Sequence, residues 1–88
     1  MFDAFYFEFP SQTQAEQAPE IVQKNRFFQM GAFASILGVD PDDGIQNPQV
    51  LKITFLTPPN QGELDYVARQ VGAARVTKNY QVLWSKPP

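Results

Sequence analysis

Residues 50–56, Val-Leu-Lys-Ile-Thr-Phe-Leu, carry the longest unbroken apolar alternation in the chain. Leu51, Ile53 and Phe55 fall on one side of an extended strand, and Lys52 and Thr54 on the other. Asn47-Pro48 precedes this stretch and Pro58-Pro59-Asn60 follows it, so turn residues bound it on both sides. The pattern predicts a core strand with one face inward and one toward solvent. Residues 2–9 alternate in the same way: Phe5, Phe7 and Phe9 against Ala4, Tyr6 and Glu8. Pro10-Ser11 ends that strand.

Residues 11–24 are polar, with four Gln, two Glu and Pro19. Only Ile21 and Val22 offer an apolar anchor. A solvated loop or short helix is expected, or a binding wing between strands. In residues 26–37, Phe28, Met30, Ala32, Ala34 and Ile36 share one face at period two, with Phe27, Gln29, Phe33 and Ser35 on the other. A helical stripe through Phe27, Met30, Phe33 and Leu37 also fits. Gly31 disfavours that helix and suits a bulge, so a strand is expected. Residues 38–48 read as a loop, dense in turn formers at Asp40-Pro41-Asp42-Asp43-Gly44. In residues 62–71, Leu64, Val67, Ala68 and Val71 suit one helical face, with Gly72 as a natural stop. A strand alternating Leu64, Tyr66 and Ala68 is the other option; propensity favours the helix. Residues 75–84 read as a closing hairpin with Lys78-Asn79 at its tip and Val76, Val82 and Trp84 inward.

Two architectures fit these elements in a single domain spanning residues 1–88. One is mainly β: a small five-stranded antiparallel OB-like barrel with a polar wing at about 11–25. The alternative is α+β, a β-α-β-β-α-β sandwich with helices near 12–24 and 62–72. The first of those helices lacks a large apolar face to lay on a sheet, which tips the expectation toward the barrel.

Composition narrows the function. Cysteine is absent, which removes disulfides, thiolate chemistry and sulfur-ligated zinc. Histidine is absent too, and with it the usual general base and the commonest transition-metal ligand. The nine acids show no paired placement and the three serines have no base to activate them. No enzyme, no cofactor and no metal is therefore expected. The acidic turn fails as a calcium loop: counting from Asp40, the glycine is fifth and the twelfth residue is Leu51. No apolar run is long enough to span a bilayer and no basic leader opens the chain, so a cytoplasmic protein without membrane contact is expected.

Net charge is −2, but it is unevenly placed. Residues 1–22 hold Asp3, Glu8, Glu16 and Glu20 without a base; from Tyr66 onward Arg69, Arg75, Lys78 and Lys86 stand without an acid. Aromatics are plentiful, with eight Phe, three Tyr and one Trp. Cations and rings interleave at Lys24-Asn25-Arg26-Phe27-Phe28 and again at Arg75, Lys78 and Tyr80, while Lys52 lies on the outer side of the central strand. Single-stranded nucleic acid calls for this mixture, since rings stack on unpaired bases and cations track the phosphates.

In order along most of its length, the chain resembles the filamentous-phage single-stranded DNA-binding proteins of the gene V type. Pro10-Ser11-Gln12 after the first strand, Lys24 to Phe27 before a strand ending in Gly38, the Pro48–Leu56 strand, and Arg75-Val76-Thr77-Lys78-Asn79-Tyr80 with Gln81-Val82 carry the likeness. The chain departs from the family in a Gln- and Glu-rich wing, in the missing Gly after the hairpin aromatic, and in a longer 62–71 segment. The resemblance implies a five-stranded barrel, a two-fold dimer, and cooperative coating of single-stranded DNA during phage replication in the host cytoplasm. It implies contacts through Lys24, Arg26, Phe27, Lys52 and Tyr80, with Arg75 a further candidate. The expected function is single-stranded nucleic-acid binding, of DNA or RNA, by a homodimer in which Phe27 and Tyr80 stack and the cations neutralise phosphates. The rival is a non-enzymatic interaction or assembly subunit of α+β type, for which acidic balance and exposed rings are equally suited.

Overall fold

The large alternating side chains build a sheet from five strands, and the computed structural model describes residues 3–39 and 46–88. The strands are β1 (Asp3–Glu8), β2 (Ala32–Val39), β3 (Gln46–Phe55), β4 (Arg75–Lys78) and β5 (Gln81–Ser85). They pair antiparallel in the order β2-β3-β1-β4-β5, so the chain is mainly β. Two helices, α1 (Gln12–Lys24) and α2 (Gln61–Val71), bury their apolar sides in one cluster with Phe5, Phe7, Leu51, Ile53, Phe55 and Val76. Both helices thus cover the same face. The sheet is open, with β2 and β5 as its edges, and does not close into the expected barrel. The helices stand where the β-α-β-β-α-β alternative put them, and β5 adds a fifth strand to that split pattern.

The expected wing is helix α1. Ser11 caps it, its hydroxyl accepting from the Gln14 N–H at 3.2 Å. Its buried stripe is Ala15 and Ala18, continued by half-buried Ile21 and Val22. Alanine removes little apolar area from water, but it lets the helix backbone approach the sheet closely. α2 follows its sequence pattern, with Leu64, Val67, Ala68 and Val71 all buried. A capping box opens it: the Asn60 side chain accepts from the Glu63 N–H (2.8 Å), and the Glu63 carboxylate accepts from the Asn60 N–H (2.9 Å). Gly72 closes it in the left-handed conformation at φ 81°.

Register fixes what each face presents, because directly opposed residues share a face. On the helix side one row crosses all five strands: Leu37, Leu51, Phe7, Val76, Trp84. On the other side runs a second row: Ile36, Lys52, Tyr6, Thr77, Val82. A register shift between Val76 and Thr77 in the β4–β5 pair turns Val82 outward, against the expectation that it points in. The acidic turn at Asp40–Gly44 lies outside the described residues. Among the described residues, no helix is long and apolar enough to cross a membrane.

Trp84 ends the core row and donates its indole N–H to Asp65 Oδ1 at 2.7 Å. That bond, then the Arg69 hydrogen bonds and the Arg69 charge, hold the Asp65 carboxyl below its usual pKa. A folded-state pKa below the unfolded one gives stabilisation that is present above the usual carboxylate range and lost as pH falls through the folded value. Acid titration of tryptophan emission is therefore expected to show a transition below the usual carboxylate range. Asp65→Asn should abolish it; a transition unchanged in that variant would refute the assignment.

Candidate nucleic-acid interface

The face of the sheet opposite the helices is the surface on which cations, a ring and apolar side chains meet. β1 and β3 place Tyr6 directly beside Lys52, with Ala4 beside Thr54 one step along. β4 places Thr77 on the other flank of Tyr6. At strand spacings of roughly 4.8 Å the row from Ile36 to Val82 spans about 19 Å. Ile36 and Val82, at its ends, are each 51% exposed. Thr77 is buried within the row, and its Oγ1 has no hydrogen-bond partner among the described residues. Leaving a buried hydroxyl unpaired costs about 1–3 kcal/mol.

Toward the other end of β1 the same face carries Glu8, opposite Arg75. Arg75 holds the Glu8 carboxylate with both Nη2 (2.6 Å) and Nε (3.1 Å), and this pairing raises the guanidinium pKa further above its already high value. The pair is neutral as a unit. Arg75, a candidate phosphate contact, is thus already committed to an acid. Lys78 is likewise engaged, paired with Asp3 and set over the Phe5 ring at 4.6 Å from its centroid. Lys24, Arg26, Lys52 and Lys86 make no ion pair among the described residues.

The six residues singled out from the sequence do not converge. Lys52 and Arg75 lie on the open face. Lys24 ends α1, in the helix layer, and Arg26 follows it with φ 56°. Tyr80 stands at the β4–β5 hairpin tip, 73% exposed, where Asn79 and Tyr80 both have positive φ (51° and 65°) as a type I′ turn requires. Phe27 is the clear correction. It is 1% exposed, in a 3-10 turn (Phe27–Met30), with Tyr66 of α2 edge-on to it at 6.0 Å. A ring enclosed in the core cannot stack on a base.

Tyr6 is the residue that sequence reasoning passed over. It was visible only as an outward position on β1, and its partner Lys52 lies far away in sequence. Pairing of β1 with β3 makes them neighbours. Among the described residues, no group of three or more potential metal ligands comes together. No family model, no curated protein and no solved structure matches the chain.

Proposed function

We propose that the open face of the sheet binds single-stranded nucleic acid, without catalysis, through Tyr6 and Lys52. The observation that carries this reading is the transverse row Ile36-Lys52-Tyr6-Thr77-Val82 on the face the helices leave uncovered. Exposed antiparallel sheets bind single strands by stacking unpaired bases on rings of the central strands while cations meet the backbone. Tyr6 supplies the ring on the middle strand, and Lys52 supplies a positive charge one strand away. Ile36 and Val82 offer apolar surface for flanking bases. Tyr80 and the α1-end cations Lys24 and Arg26 extend the contact beyond the face. The resemblance to gene V-type proteins supports the same ligand class, DNA in particular, and a phage-replication role in a host cytoplasm.

A labelled oligothymidine titrated at low salt is expected to bind. The logarithm of its binding constant should fall linearly with the logarithm of salt, by roughly 0.7 per phosphate contacted. Duplex of the same length should bind more weakly, because its bases are already stacked. Absence of binding at the lowest salt would end the proposal. The alternative, an interaction module, draws on one specific observation, the uncharged strand β2 at the sheet edge.

A further inference from the structure

The two edges of this sheet differ. β5 is short, precedes Pro87-Pro88, and has its Leu83 carbonyl engaged by the Gln61 side-chain amide at 2.9 Å. These features blunt an edge. β2 runs for eight residues, Ala-Phe-Ala-Ser-Ile-Leu-Gly-Val, with no charge and no proline. Among the described residues no strand pairs with its outer side. Register shifts near Ala32 and Leu37–Val39 leave Ala34–Leu37 as the regular window.

A groove of about 540 Å³ lies between α1 and this strand. Ala34 stands opposite Thr54 on the open face and Ser35 opposite Ile53 on the helix side, yet both line the groove. The groove therefore wraps the outer rim of β2, where its unpaired backbone groups lie. The other wall is acidic. Glu16, Glu20 and Gln23 recur at i, i+4 and i+7 of α1, which sets them along one side of the helix, with Pro19 and Val22 beside them. Among the described residues no cation lines the groove, and neither Glu16 nor Glu20 makes an ion pair. We propose that the outer edge of β2 accepts, as a sixth strand, an extended segment of a protein partner that carries lysine or arginine at alternate positions.

Charge and spacing select this guest. Residues opposed across an antiparallel ladder share a face. Guest side chains opposite Ser35 and Leu37 turn to the helix side, toward the acidic wall, and the one opposite Ile36 turns to the open face. Glu16 and Glu20 are about 6 Å apart along the helix axis, and alternate residues of a strand are about 6.6 Å apart. Two guest cations at i and i+2 thus match the two carboxylates. Their aliphatic stems cover Leu37, 39% exposed, while their charged heads reach past it. A β-branched residue between them packs on half-exposed Ile36. In strand addition the backbone bonds supply affinity and the alternate side chains supply specificity. The window is short, so the partner is a transient one. This reading does not depend on the nucleic-acid proposal, whose Tyr6 and Lys52 lie on the two strands inward of β2.

A fluorescein-labelled peptide Thr-Lys-Val-Lys-Thr, followed by anisotropy with no nucleic acid present, tests the edge directly. It should bind weakly and lose affinity as salt rises. Hydrogen exchange should slow at Ala34–Leu37 when it is bound. Glu16→Gln combined with Glu20→Gln should reduce affinity roughly 2- to 30-fold, the worth of two exposed ion pairs. Gln70→Lys combined with Gln81→Lys changes net charge by the same amount at exposed positions outside the groove, and should leave affinity unchanged. Circular dichroism confirms that both double variants fold. Absence of peptide binding overturns the proposal, as do equal losses in the two double variants or slowed exchange away from β2. Equal binding of Thr-Ser-Val-Ser-Thr would make β2 a general strand acceptor and overturn the basic partner. Slowing at Ala34–Leu37 that rises with protein concentration alone, and that the peptide does not add to, would give the edge to a second copy instead.

Discussion

Phe27→Ala is expected to lower stability by about 3–5 kcal/mol, the usual cost of emptying a phenylalanine site in a core. Phe27 is almost fully enclosed, with Tyr66 edge-on against it. Its removal leaves a cavity beside Tyr66 of α2. Domains of this size have a total stability on the order of 4–13 kcal/mol, so the loss is a large share of the whole. Thermal unfolding should fall by more than about 12 °C, at several degrees per kcal/mol. Phe27→Leu should recover most of it, because leucine refills much of the volume. At a temperature where the variant is still folded, oligonucleotide affinity should be unchanged. A stable Phe27→Ala protein with selectively lost affinity would reverse this assignment and return the ring to the binding surface.

Tyr6→Ala has the second large expected effect, and it falls on binding. One stacked base contributes about 1–3 kcal/mol, so affinity should drop roughly 5- to 150-fold. Tyr6→Phe keeps the ring and should retain most of the affinity. Lys52→Ala should weaken binding less, and should flatten the salt dependence by roughly 0.7 in slope through loss of one phosphate contact. The two side chains are cross-strand neighbours, so their losses should not add. Equal affinity of wild type and Tyr6→Ala would locate any binding elsewhere on the protein.

Legibility in the sequence followed side-chain size. β1, β3 and α2 were readable because Phe5, Phe7, Leu51, Ile53, Leu64 and Val67 are large and recur at the period of their element. α1 was read as a polar wing because its buried stripe is made of alanines, which weigh little in any hydrophobic pattern. Phe27 was misplaced because a single period-two pattern was carried through Gly31. The chain there changes from a 3-10 turn to a strand at a glycine with φ 97°, and the parity before that point does not transfer. Val82 was turned by a register shift that leaves no mark in composition. The candidate site was the least legible part. Lys52 was identified from its own strand, but its meaning depends on Tyr6. That adjacency is a property of strand order, which no local pattern encodes.

The strand order also constrains how the chain folds. β1 is first in sequence among the five strands and the middle strand of the sheet, pairing on one side with β3 and on the other with β4. The Arg75–Glu8 contact closes a loop of 67 residues. Until β4 is present, one edge of the central strand has no partner, and Phe7 lacks Val76 beside it. No amino-terminal fragment ending before Arg75 can complete the core. The central strand therefore draws its two neighbours from distant parts of the chain, and completing the core requires contacts of high sequence separation, the kind whose loop-closure entropy must be met before the contact rewards it.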